Sequence, residues 1–308
     1  MKTNNAHHAL LLLLTAFIWG VAFVAQSAGG DAVGPYTFNS IRSLIGGAVL
    51  IPVIFFLQKT GLAPKHEGGD RATLIKGGIA CGIALGLASM TQQLGMYYGA
   101  GTGKAGFLTA CYILLVPILG IFLGKKCGKK VWIGVVLALV GLYLICINGA
   151  FRLGRDDILL LVSALLFSVH ILIIDHFSPM VDGVKMSCIQ FWVAGLLCVA
   201  PMLCVDMGFS AESAAAWRAN LASGEAWISI LYAGVLSSGV AYTLQIVGQR
   251  GMNPTVAALI MSMESVFSLL AGWVLLDQTM SIKELLGCVL VFAAIILTQL
   301  PDKTAAAR

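Results

Sequence analysis

Ten apolar runs fill almost the whole chain, each close to the roughly 20 residues that a helix needs to cross a hydrocarbon core about 30 Å thick. They cover residues 8–27, 35–57, 73–98, 102–124, 130–148, 157–176, 184–205, 226–249, 254–276 and 282–300. With 59% apolar and 11% charged residues and a mean hydropathy of +0.92, the 308 residues cannot form an ordinary water-soluble domain. The longest connections, 58–72 and 206–225, are too short to bury a soluble core, so any chemistry sits among the helices. The fold class expected is all-α and integral to the membrane.

The first run carries Ala25-Gln26-Ser27-Ala28, which looks like a signal-peptidase site. Trp19-Gly20 in its middle and the repeat described below argue for a retained helix instead. The eight cysteines lie mostly inside spans and show no C-x-x-C pair, so they read as reduced packing residues. No metal, cofactor or catalytic residue is expected.

Basic residues set the orientation. With the N-terminus inside, 13 of the 19 Lys and Arg fall in cytoplasmic segments, among them Lys59, Lys125, Lys126, Lys129 and Lys130. Five fall outside (Lys104, Arg152, Arg155, Arg218, Lys283), and Arg42 lies within a span. The positive-inside rule then places both termini in the cytoplasm of a bacterial inner (plasma) membrane protein. Charges scattered over short loops also exclude nucleic acid as a partner; membrane lipid is the natural one.

The chain repeats itself. A shift of 148 residues pairs Leu11-Leu12-Leu13-Leu14-Thr15-Ala16 with Leu159-Leu160-Leu161-Val162-Ser163-Ala164. A shift of 153 carries Ala88, Gln92, Gly95, Thr102, Ala105 and Gly134 onto Ala241, Gln245, Gly248, Thr255, Ala258 and Gly287. Two five-helix units, 1–150 and 151–308, follow. An odd number of spans makes the second enter the membrane in the opposite sense, giving the inverted repeat that recurs in secondary transporters.

Small residues must hold such helices together, because lipid removes the water-driven attraction between them. Gly78, Gly82 and Gly86 form one four-residue ridge, and Gly120, Gly124 and Gly128 form another; both read as tight packing. Such ridges serve contacts within and between chains, so a homodimer fits as well as a monomer. Pro52, Pro117 and Pro201 within spans are candidate kinks.

Ionisable groups within a span are costly and mark function by default. Glu264 lies mid-span in Met261-Ser262-Met263-Glu264-Ser265, and Arg42 lies two turns into the second run, after Asn39. Desolvation disfavours a charged carboxyl, which makes Glu264 a candidate proton-coupling or cation-binding group, unless a Glu264–Arg42 or Glu264–backbone link merely fixes helix register. Arg42 could hold a carboxylate. His170, five residues before Asp175, is a candidate proton shuttle. Gln92, Gln93, Gln190 and Gln245, with Trp19, Tyr112, Trp192 and Tyr242, offer the amides and aromatic faces of a mixed-polarity cavity. No Walker, H-E-x-x-H, G-x-S-x-G or D-D-x-x-D pattern appears, and Asp156-Asp157 beside Arg155 reads as a helix cap.

The segment Met263-Glu264-Ser265-Val266-Phe267-Ser268-Leu269-Leu270-Ala271-Gly272-Trp273-Val274-Leu275-Leu276-Asp277, followed by Gly287, resembles the last helix pair of EamA-type drug/metabolite transporters. Trp19-Gly20, Arg42, and Val116-Pro117 with Leu123-Gly124 resemble the corresponding first-half features. The chain departs from that pattern at Ser265, where proline is common, and at Asp277 and Lys125, where a loop glutamate and its first-half counterpart are expected. The resemblance implies ten helices and export of a small metabolite or drug by alternating access, with protons as a candidate coupling ion. The competing readings are a membrane enzyme acting on lipid-linked substrates, which would need clustered carboxylates at an interface, and a channel, which would need a symmetric polar ring.

Overall fold

A computed structural model describes residues 2–60, 70–100, 102–125, 127–147, 154–275 and 281–299. The helices are α1 (Lys2–Val33), α2 (Pro35–Lys59), α3 (Arg71–Tyr97), α4 (Thr102–Ala110), α5 (Tyr112–Phe122), α6 (Lys129–Cys146) and α7 (Arg155–Phe177). They continue as α8 (Gly183–Pro201), α9 (Ala211–Ala222), α10 (Gly224–Leu231), α11 (Thr243–Gln249), α12 (Pro254–Met261), α13 (Glu264–Leu275) and α14 (Ile282–Gln299). Two wider π-helical stretches, Met202–Asp206 and Tyr232–Tyr242, extend α8 and join α10 to α11.

Among the described residues nine segments are long and apolar enough to span a membrane, and α14, 18 residues long, is the tenth long helix. Phe55, Phe56, Phe122, Ile228 and Ile282 stand exposed on the outer surface, as lipid-facing side chains must. Ten crossings put the start of α1 and the end of α14 on one face, called here the terminal face. The α9 segment is a short helix inside what the sequence suggests is a plain 206–225 connection; Ser210 caps it by accepting from the Ser213 amide at 3.0 Å. Other starts use the same device, with Asp182 accepting from Val184 and Asn253 from Thr255, each at 2.9 Å. At Asp70, outside the spans, the hydroxyl and amide of Thr73 hold the carboxyl below its ordinary carboxylate range.

The duplication is visible in which residues meet. Gly95 on α3 packs under Leu160 of α7, and Gly248 on α11 packs under Leu12 of α1; Leu12 and Leu160 are 148 apart, Gly95 and Gly248 153 apart. Gly47 on α2 lies against Trp192 of α8, while Gly195 of α8 lies against Leu44 of α2, again residues 148 apart. On the far side, Gly134 of α6 faces Ala294 and Thr298 of α14, and Gly287 of α14 faces Gly141 and Ile145 of α6. Exchanging the halves therefore maps each seam onto its mate, which is the pseudo-two-fold of an inverted repeat.

Gly78, Gly82 and Gly86 receive Ile189, Val193 and Leu197 of α8, so that ridge is a packing surface. The second expected ridge is not. Gly124 has φ +76° and nothing within 4 Å of where a Cβ would stand, and it ends α5 in a turn where Gly124 N–H reaches the Ile121 carbonyl and Lys125 N–H the Gly120 carbonyl. Its glycine serves the left-handed cap conformation, not helix packing.

Two of the ten crossings are broken at repeat-related points. The fourth stops at Ala110 and resumes at Tyr112, with Cys111 Sγ donating back to the Phe107 carbonyl at 3.5 Å. The ninth stops at Met261 and resumes at Glu264, with Ser262 Oγ donating back to the Leu259 carbonyl at 2.7 Å. Side chains that compete for backbone acceptors loosen a helix at such points.

Candidate functional site

The breaks adjoin a central cavity of about 40 Å³, lined by Trp19, Phe23 and Gln26 of α1 and by Arg42, Gln92, Thr109, Tyr112, Phe167, Ser237, Tyr242 and Glu264. That space holds a few water molecules and no larger solute.

Arg42 is 4% exposed and is held from behind. Its Nε donates to Asn39 Oδ1 at 2.8 Å, Asn39 Nδ2 donates to the Ser89 carbonyl at 3.1 Å, and the guanidinium carbon lies 5.6 Å from the Phe38 ring centre. Across the cavity Glu264, 6% exposed, opens the first turn of α13 and accepts from the Tyr112 hydroxyl at 3.4 Å. Gly20 makes this depth available, because a Cβ there would come within 2.7 Å of both the Glu264 carbonyl oxygen and Phe267 Cβ. Among the described residues Arg42 and Glu264 form no ion pair with each other, so the Glu264–Arg42 form of the register-fixing alternative does not hold. Tyr242 lines the same cavity, and Trp19 packs against it with ring centres 4.5 Å apart and planes tilted by 55°, while donating to the Ser237 carbonyl at 3.5 Å.

Of the residues singled out from the sequence, Glu264, Arg42, Trp19, Gln92, Tyr112 and Tyr242 meet at this cavity. Asn39 lies behind it, fixing Arg42. His170 does not reach it; the ring is wholly buried, bonds Gln190 Oε1 at 3.1 Å, and sits 6.1 Å behind the Tyr242 ring. Gln245, 1% exposed, is also off the cavity, on the helix face one turn further toward the terminal face. Asp175 is spoken for by Lys125 at 2.5 Å, and Asp157 by Lys104 and by the Gly154 amide, so the expected cap carries an ion pair as well. Asp277 and Arg152 lie outside the described residues.

The sequence reading missed Phe23, Gln26, Thr109, Phe167 and Ser237. Phe167 was recoverable, since it stands 148 residues after Trp19, and both line the same space. Gln26 was hidden inside a segment that mimics a cleavage site, yet its Oε1 is buried without a partner while its carbonyl accepts from Gln93 Nε2 at 2.9 Å.

The sequence profile of the EamA-like transporter family matches residues 8–147 and, a second time, residues 155–300. The chain belongs to the EamA-like transporter family. It is therefore a multi-pass membrane transporter and not an enzyme, and its solute is a small molecule. Similar chains include an uncharacterized transporter of Archaeoglobus fulgidus, 29% identical over 94% of this chain and 84% of that protein. The uncharacterized transporter YoaV of Bacillus subtilis is 23% identical over 92% and 94% of the two chains. A crystal structure aligns over 95% of this chain and 96% of its own with a TM-score of 0.75 at 16% identity, a likeness of fold alone. Both copies of the EamA-like unit contribute to the cavity: Trp19, Arg42, Gln92 and Tyr112 from the first, Phe167, Tyr242 and Glu264 from the second.

Proposed function

We propose that this chain is a secondary transporter working by alternating access, with the cavity between Arg42 and Glu264 as its solute site. The observation that carries the reading is a guanidinium and a carboxyl, both buried, both lining one small cavity and not joined to each other. Inside a lipid-embedded bundle each such charge is expensive, and a purely structural pair would neutralise itself by direct contact. Charges kept apart across a cavity are available to a solute, a proton or water.

In this reading the two five-helix units, 1–150 and 151–308, rock about the cavity, and the solute leaves the cytoplasm through a plasma membrane that keeps both termini inside. Arg42, steadied by Asn39, receives an anionic or carbonyl group. Glu264 receives a cationic group or a proton, with Tyr112 donating to it. Trp19, Phe167 and Tyr242 supply flat apolar surface, and Gln92 and Gln26 supply amides for the polar remainder.

The test compares metabolites inside and outside cells that make wild-type protein, Glu264→Gln or no protein, at equal membrane abundance. The reading expects one compound class to move outward with wild type only. Redistribution identical to that in vector cells removes the export reading, and equal redistribution by both proteins removes Glu264 from the mechanism.

A further inference from the structure

The two repeat-related walls of the cavity are in different states. In the first unit Gln92 Nε2 donates to Thr109 Oγ1 at 3.3 Å, Tyr112 bonds Glu264, and all three side chains line the cavity. A shift of 153 residues carries this trio onto Gln245, Ser262 and Ser265. These three are 1%, 0% and 5% exposed, and none of them lines the cavity.

Their hydrogen bonding is that of a site out of use. Gln245 Oε1 and Ser265 Oγ are buried with no hydrogen-bond partner among the described residues, and Ser262 Oγ is turned back onto the Leu259 carbonyl of its own helix. A buried amide oxygen left unpaired costs about 1–3 kcal/mol, so it points to a second arrangement in which it is satisfied. The first unit pairs its glutamine with the residue at the helix break, Gln92 with Thr109; the matching contact here would have the Ser262 hydroxyl leave the Leu259 carbonyl and donate to Gln245 Oε1. The two glutamines also lie toward opposite ends of the bundle: Gln92 near the end of α3 away from the terminal face, and Gln245 on α11, which ends at the terminal face.

We infer that Gln245, Ser262 and Ser265 form a second solute half-site, shut in this conformation and opened to the terminal face when the two units exchange conformations. This rests on the alternating-access reading above. An amide and two hydroxyls without a charge suit a neutral hydrogen-bonding part of the solute, such as a carboxamide, a hydroxyl or a ring nitrogen. The charged ends remain with Arg42 and Glu264.

Single cysteines at four positions of the full chain, Gln92→Cys, Gln245→Cys, Ser262→Cys and Ile246→Cys, are exposed to a membrane-impermeant sulfonated maleimide in right-side-out and in inverted vesicles. Peptide mass spectrometry reads each position separately, so the native cysteines stay in place. Ile246, wholly buried beside Gln245, reports the rate for a residue that is only core. A minor open state populated at a few per cent is enough for Gln245→Cys and Ser262→Cys to react about tenfold or more faster than Ile246→Cys, from the terminal face, while Gln92→Cys reacts from the other. Ser262→Cys, nearly isosteric, carries the test if the glutamine variant does not accumulate. Labelling of Gln92→Cys with both second-unit positions as slow as Ile246→Cys overturns the half-site and leaves the cavity reading standing. Silence at all positions, Gln92→Cys included, overturns the alternating-access reading and this inference with it. Labelling of positions 92 and 245 from the same face overturns the half-site alone.

Discussion

The seam between α7 and the broken helix α4–α5 and its repeat mate, the seam between α1 and α12–α13, share a backbone plan and differ in what holds them. Lys104 and Lys125 flank the broken helix and bind Asp157 and Asp175, one near each end of α7. Between them, toward the terminal face, a groove of about 630 Å³ lies open along Leu119, Phe122, Val169 and Leu172. In the mate, Ala257 and Ala9 occupy the positions of Lys104 and Asp157, and the seam closes at its middle instead, where Gly20 lets the two backbones meet at Glu264. Duplication preserved the path of the chain, while each copy acquired its own adhesive: charge at the ends of one seam, close approach at the centre of the other.

Neutralising Glu264 should have the largest effect, because it removes the only acid of the close-packed seam that faces the cavity among the described residues. Glu264→Gln is expected to lower transport by about tenfold or more at unchanged membrane abundance, measured as solute efflux per mole of protein. Efflux within twofold of wild type would show that the central approach of α1 and α13 is structural only. Next comes Gly20→Leu, whose side chain must displace the Glu264 carbonyl and Phe267. Overpacking there should cost about 3 kcal/mol, read as a lowered Tm of the detergent-solubilised protein. An unchanged Tm would mean that the seam is looser than its contacts indicate.

Asp157→Asn sharpens the other side of the comparison. The carboxylate is fully buried and bonds both Lys104 and the Gly154 amide, so its loss should cost about 2 kcal/mol by the same thermal measurement. Lys125→Ala should cost least, about 0.5 kcal/mol, because that lysine is 44% exposed and its pair is screened by water and salt. If the two variants destabilise equally, burial does not decide the strength of this seam.

The architecture was legible because a lipid solvent leaves few options: apolar length fixes the spans, and an odd number of them per repeat fixes the inversion. The charged centre was legible for the same reason, since Glu264 and Arg42 have no business in a span without a partner or a task. Pairing was harder to see. Asp157 read as a cap because Arg155 adjoins it in sequence, whereas its partner Lys104 comes from 53 residues earlier. Gly124 read as packing because spacing alone cannot tell a glycine on a helix face from one that ends the helix with positive φ. His170 and Gln245 read as cavity residues because periodicity gives a polar face without saying which of two buried neighbours it meets.

The account's central claim is that this EamA-like chain carries solute by turns and does not conduct it. The measurement that bears on it most directly is counterflow in vesicles containing the purified protein, loaded with an excess of the unlabelled compound identified by the efflux comparison and then given a trace of the labelled compound outside. A carrier that alternates exposure of the Arg42–Glu264 cavity accumulates label transiently above equilibrium, and Glu264→Gln changes the size of that overshoot. Label that only relaxes to equilibrium, at a rate linear in concentration, would contradict it.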